Sequence, residues 1–219
     1  MTLSARLQSL IDAGVHRIGE LEIRLETAGH SFLLCHHLDA EAAGHEDFGG
    51  LEIHHGPDDA RDLSTWSEDG GYRFAKAQTN LRRGWVMLLA DIDQLRLALD
   101  GFYPAAVGVF AAMLDGTLDI QNLREKLERQ TGMYRFARTI SDEGAQRLVR
   151  EVCGPAHQCA RRILWRLDDN TPLDDSDASR YNGVPGEIPE NEAIPLLCRE
   201  ACNHMVAECR RVAKEEAGK

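Results

Sequence analysis

The sequence predicts an α+β fold: a strand-rich N-terminal part with packed helices, followed by a mostly helical domain. Three observations carry this. Alternating apolar residues recur up to Ala90, helical periodicity takes over from Asp91, and Cys153, Cys159, Cys198 and Cys202 form two tight pairs in the last third. At 219 residues the chain can bury a full core, as one large domain or two small ones. The pattern divides it into an α+β domain at 1–135 and a helical domain at 136–219, with a boundary near Gly132–Ser141.

Leu3, Leu7, Leu10 and Ile11 share one face of a helix over 3–12, which Gly14 stops. Ile18, Leu21, Ile23 and Leu25 alternate in one run, and Phe32, Leu34 and His36 in a second. A turn at Thr27–His30 makes them a β-hairpin. Residues 44–50 read as a loop and Leu51–His55 as a strand. Pro57 suits the first turn of a helix running through Trp66. Tyr72–Ala75 and Trp85–Ala90 are further strands.

Asp91 caps a helix carrying Leu95, Leu97 and Leu99. Pro104 starts an apolar helix, Ala105 to Leu114, which Gly116 ends. A third helix spans Ile120–Gln130, with Leu123 and Leu127 inward. Ser141 suits the N-cap of a helix that runs into Cys153. Ile163–Leu167 is an apolar patch. The long polar loop 168–190, rich in Asp, Asn, Pro, Gly and Ser, exceeds the usual connection in a compact domain and returns the second cysteine pair to the first. Pro195 falls in the first turn of a final helix ending near Lys214.

The net charge of −11 argues against a reader of phosphate backbones and against docking on anionic membranes. No apolar run approaches the roughly 20 residues of a membrane helix, and the N-terminus lacks the apolar core of a secretory signal. The expected compartment is cytoplasmic, where thiols stay reduced and structural disulfides are the minority reading. No P-loop, dinucleotide fingerprint or nucleophile elbow occurs.

The cysteines stand as Cys153-x5-Cys159 and Cys198-x3-Cys202. Four thiolates brought to tetrahedral positions hold an iron–sulfur cluster. On the expected final helix Cys198 and Cys202 are i and i+4, projecting from one face. Cys209 is two turns further on, about 10 Å away. Gly154 lets backbone approach the inorganic sulfides. The competing metal is zinc, which favours shorter knuckles and often takes histidine; His157 and His204 flank the pairs. Unliganded thiols, behaving as small buried hydrophobes, are the remaining alternative.

The Cys-x5-Cys and Cys-x3-Cys spacing is similar to the cluster motif of sirohaem-dependent sulfite and nitrite reductases. A resemblance covering most of the chain rests on Asn80-Leu-Arg-Arg-Gly-Trp85, Ala98-Leu-Asp-Gly-Phe-Tyr-Pro-Ala105, Arg129-Gln-Thr-Gly-Met-Tyr-Arg135, the cysteine pairs and Ile163-Leu-Trp165. These resemble the extra domains of chelatase-like proteins, which join a sirohydrochlorin-cobaltochelatase-type domain to a 4Fe-4S-stabilising domain. The resemblance implies a 4Fe-4S cluster on Cys153, Cys159, Cys198 and Cys202 and a link to tetrapyrrole or metallo-cofactor metabolism. A chelatase domain, with alternating strands and helices and metal-presenting histidines, is not recognisable in this sequence.

Candidate ligand-binding residues lie outside the cysteines. Arg82 and Arg83 suit bidentate pairing with carboxylates, such as those rimming a tetrapyrrole, and Trp85 suits stacking on a flat ring. The competing reading is a turn into a core strand with Trp85 buried. Tyr134 and Arg135, with Arg129, surround Gly132 on a connection that could reach the cluster or an anionic ligand; plain packing is the alternative. His30, Cys35, His36, His37, His45, His54 and His55 make the front half histidine-rich. Adjacent histidines on a strand point to opposite faces, so no neighbouring pair chelates alone. Three function classes follow: a redox or accessory component near a tetrapyrrole or metal-bearing small molecule, with a redox or chelatase partner; an interaction protein whose cluster or zinc is structural; and an enzyme with a substrate-accessible iron.

Overall fold

The structure, a computed structural model, describes residues 1–25, 32–65, 81–153, 159–173, 180–181 and 193–218. The fold is α+β. Its residues form two compact units: Met1–Gly116 with Gly183–Leu196, and Thr117–Asn182 with Leu197–Lys219. The first boundary therefore falls at 116/117 rather than 135/136, because Leu123 and Leu127 pack into the same core as the helices that follow them. Tyr72–Ala75, the turn at Thr27–His30 and most of loop 168–190 lie outside the described residues.

Unit 1 is built on a six-stranded mixed sheet. Its strands are β1 (Arg17–Ile18), β2 (Leu21–Leu25), β3 (Phe32–His36), β4 (Glu52–His55), β5 (Trp85–Leu89) and β7 (Ala193–Ile194), in the order β4-β5-β3-β2-β1-β7. β2 and β3 pair antiparallel, with Leu21 opposite His36 and Leu25 opposite Phe32, as the alternation predicts. The expected single strand from Ile18 to Leu25 is instead broken at Gly19. There φ is +54°, and an added Cβ would lie 2.9 Å from the Tyr103 ring. The chain reverses through this turn, so β1 and β2 pair antiparallel.

All five residues of β3 are buried, because the strand is covered on both faces. Leu33 and Cys35 pack with Val86 and with Ala43 of α2 (Ala40–Ala43). The other face meets α4 (Ile92–Phe102), which buries Leu95, Ala98, Leu99 and Phe102. The Asp91 side chain accepts from the Gln94 N–H at 2.8 Å and so caps α4, as its sequence position predicts. α1 (Leu3–Asp12), α3 (Ala60–Thr65) and α5 (Ala106–Leu114) pack around α4. α3 begins later than Pro57, and α5 follows Pro104 as expected. Among the described residues no single helix is long and apolar enough to cross a membrane; α4 and α5 meet that test only as a pair bent by 105°.

Unit 2 gathers α6 (Leu123–Glu128), a 3-10 helix (Gly132–Thr139), α7 (Asp142–Cys153) and α8 (Asn203–Ala217) around one apolar core. Trp165, Leu167, Met205 and Cys209 fill its centre. α6 starts at a reciprocal capping box. Asn122 accepts from the Glu125 N–H, and the Glu125 carboxylate accepts from the Asn122 N–H. Ser141 accepts from the Gly144 N–H, which ends the expected helix start where the sequence puts it. Two short strands, β6 (Arg162–Ile163) and β8 (Leu197–Cys198), pair in parallel, with Ile163 opposite Cys198.

Candidate metal centre

The β6–β8 pairing is what brings the two ends of the cysteine motif together. Cys159 lies just before β6, and Cys198 is the last residue of β8. The Leu164 N–H donates to the Cys198 carbonyl at 3.0 Å, extending the ladder. Cys202 then forms the N-cap of α8, and Cys153 is the last residue of α7. All four cysteines are half-buried and outside any disulfide, and Cys153, Cys198 and Cys202 rest against the unit 2 core.

This corrects the expectation that Cys198 and Cys202 share a helix. Leu197 and Cys198 are committed to the β6 ladder, and Cys202 has extended dihedrals, φ −73° and ψ 165°. The helix begins only at Asn203. Cys202 gains from this placement. Its sulfur accepts from the Met205 N–H at 3.4 Å, at the positive end of α8, where negative charge is favoured.

Two other sulfurs also meet N–H donors. The Trp165 indole Nε1–H donates to Cys198 Sγ at 3.4 Å, and the Arg161 backbone N–H bonds to Cys159 Sγ. Burial raises the pKa of Cys159 and of Cys198, and negative charge at neighbouring cysteines adds to the rise: Cys202 acts on both, and Cys159 acts on Cys198. The Arg161 guanidinium opposes it at both positions, while its Nη1 donates to the Leu197 carbonyl at 3.3 Å. Three thiols thus stand within electrostatic reach of one another, beside one cation and three N–H groups. Metal binding removes their protons and the penalty with them.

The donor set fits a cluster better than a single ion. Zinc, at about 2.3 Å from each sulfur, would draw four thiolates to within about 3.8 Å of one another. Among the described residues, the group of three or more such ligands with donor atoms all inside 4.8 Å is Glu20, His36 and His37, in unit 1. No three of the cysteine sulfurs lie all within 4.8 Å of one another among the described residues, and four thiolates are the ligand set of a 4Fe-4S cluster. Cys209 is wholly buried in α8, and burial pushes its thiol up to about 12, which marks a core residue.

The other candidate residues are placed differently. Arg82 pairs with Glu52. Arg83 donates Nε and Nη2 to Asp39 Oδ1 at 3.2 and 3.0 Å, and the Gly84 N–H bonds to the other Asp39 oxygen. Trp85 is fully buried. Its Nε1–H donates to the Arg82 carbonyl at 2.7 Å and its ring stacks on Phe102 at 5.0 Å. The expected flat-ligand platform is therefore a core residue, with no ring face free for a ligand. On the 3-10 helix Tyr134 is 39% exposed, with the Arg210 guanidinium 5.7 Å above its ring, and Arg135 is exposed.

Sequence reasoning missed that His36 and His37 act together. His37 leaves β3 for a 3-10 turn, so the rings stack at 4.9 Å instead of pointing apart. His37 Nε2 bonds to Glu20 at 3.0 Å, and His36 Nε2 lies 4.0 Å from the same carboxylate. The Leu38 N–H donates to His36 Nδ1, so the neutral His36 ring carries its proton on Nε2, facing Glu20. In this group His36 Nδ1 is already engaged by the Leu38 N–H. Reasoning from spacing also missed Arg161 and Trp165 as neighbours of the sulfurs, although Trp165 stands in the run Ile163-Leu-Trp165.

The fold and the cysteine site together define an iron–sulfur protein. Residues 115–211 match the family model of a 4Fe-4S iron-sulfur cluster binding domain. Residues 3–113, just over half of the chain, match that of the DR2241 stabilising domain, and the chain belongs to this family. The two matches meet where the compact units divide. Among solved structures it is similar to DR2241 from Deinococcus radiodurans, a multi-domain protein with structural similarity to chelatases and two additional novel domains. The identity is 27% and the TM-score 0.73, over 97% of this chain and 41% of that one. The chain thus spans less than half the length of that relative. No curated protein matches.

Proposed function

We propose that Cys153, Cys159, Cys198 and Cys202 hold the 4Fe-4S cluster, and that the protein is a redox or accessory component of tetrapyrrole or metallo-cofactor chemistry. The observation that carries the ligand set is the convergence of Cys159, Cys198 and Cys202 on the β6–β8 ladder, each sulfur already meeting an N–H donor. The cluster, when bound, supplies one-electron transfer. The chain supplies the rest. Arg161 offsets thiolate charge, the α8 N-terminus favours Cys202 as a thiolate, and Trp165 and the core behind it exclude water. The tetrapyrrole link rests on the chelatase likeness of DR2241. It implies a tetrapyrrole or metal-bearing small molecule as ligand, and a redox or chelatase protein as partner.

Anaerobic iron and acid-labile sulfide analysis tests the ligand set. The expected result is about four of each per chain, with visible absorbance that bleaches reversibly on reduction. Colourless, iron-free protein overturns the proposal. A purely structural cluster is the second reading, favoured by the packing of Cys153, Cys198 and Cys202 against the unit 2 core.

A further inference from the structure

We propose that Trp165 sets the reduction potential of the cluster through its indole N–H bond to Cys198 Sγ. The inference rests on the ligand set proposed above. The bond spans 3.4 Å, and Trp165 is 1% exposed. Its position is fixed from both sides of the chain. The Leu164 N–H is tied to the Cys198 carbonyl at 3.0 Å, and the Arg166 carbonyl accepts from the Leu123 N–H at 2.9 Å. The indole is held between these two ties, and its donor is in place before any metal binds.

An N–H donor to a ligating thiolate stabilises whichever state carries more negative charge. Reduction adds one electron from an external one-electron donor, breaks no bond to the protein and leaves Cys198 ligated. The reduced state gains more from the bond than the oxidised state does, so the potential rises. Hydrogen bonds to cluster sulfurs are a main lever on potential, and a dry surrounding strengthens them. The donors at Cys159 and Cys202 are backbone groups, set by the fold whatever the side chains. Trp165 is a side-chain donor, and so an adjustable one. A buried indole N–H needs an acceptor in any case, so a merely structural role must be separated from a tuning one.

The experiment compares wild-type, Trp165→Phe, and protein with benzothienylalanine at 165, which keeps the indole shape and replaces the N–H by sulfur. Each is purified anaerobically and assayed for iron and sulfide, and its midpoint is measured by optical titration with dithionite. The expected result is full cluster content with a lower midpoint in both variants. In wild-type protein the iron–thiolate stretching bands should also shift in D2O, and part of that shift should vanish in the variants. An unchanged midpoint in either cluster-loaded variant overturns the inference while leaving the ligand set standing. If neither variant holds the cluster, wild-type protein grown with 5-fluorotryptophan, a stronger N–H donor, replaces them: a raised midpoint upholds the inference and an unchanged one overturns it. Wild-type protein without iron overturns both.

Discussion

Cys202 caps α8 and Cys209 lies buried within it, and a pair of substitutions separates their roles. In Cys202→Ser the hydroxyl still accepts from the Met205 N–H, so α8 keeps its cap. A fall in bound iron and sulfide then reports the lost ligand and not a frayed helix. Cys209→Ala removes one buried sulfur from the core, which costs about 1 kcal/mol in stability, by analogy with the loss of one buried methylene. Iron content should stay at the wild-type level. Denaturation of the metal-free proteins measures the cost, and metal analysis of the loaded ones measures the content. At this scale the sequence was readable where spacing carried the meaning: the paired cysteines pointed to a 4Fe-4S domain. It was unreadable where meaning depended on a distant partner. Nothing near Trp85 in the chain announces Phe102 beneath it, and nothing near Trp165 announces Cys198.

At the scale of elements, β3 and the turn after it carry a pH response. His36 ends this buried strand, and burial lowers its pKa below the ordinary 6.5, with His37 acting in the same direction. Glu20, Asp39 and Arg83 are the other charges that bear on it. A lowered histidine pKa means that the folded state resists a proton the unfolded chain accepts. Stability from this source is constant above about 6.5 and falls as pH drops below it. Asn at this position can still accept from the Leu38 N–H, so His36→Asn should flatten the loss between pH 7.5 and 5.5. Urea midpoints at the two pH values, compared with wild-type, measure it. Helices α1, α4 and α5 were legible because capping and periodicity are local: Asp91 and the apolar stripe of α4 sit within a few residues of each other. The final helix was misplaced for the opposite reason. Pro195 looks like a helix start, but Leu197 and Cys198 are claimed by a strand far earlier in the chain.

At the scale of the molecule, the cysteines come from an α7 terminus, a β6 flank, a β8 end and an α8 cap. A cluster bridging them closes a long loop, which removes conformational freedom from the unfolded chain. Stripping iron with a chelator should therefore raise hydrogen exchange in β6, β8 and the first turn of α8. Strands β3 and β5, in the other unit, should keep their protection. Equal protection before and after stripping would assign the cluster no structural share and leave the redox role alone. The change of periodicity at Asp91 falls inside unit 1, so local pattern did not mark the division at 116/117. Leu123 and Leu127 belong by contact to the later core, and contact is not written in local pattern.

The polypeptide crosses between the units three times: after Gly116, after Asn182 and after Leu196. The last crossing separates edge strand β7 from Cys198 by a handful of peptide bonds. Neither unit is consequently a contiguous cassette. A fragment ending at Gly116 leaves behind the strand that flanks β1, and one beginning at Thr117 carries that orphaned strand within it. Subcloning, limited proteolysis and evolutionary shuffling all work by single cuts, and no single cut parts these two bodies cleanly.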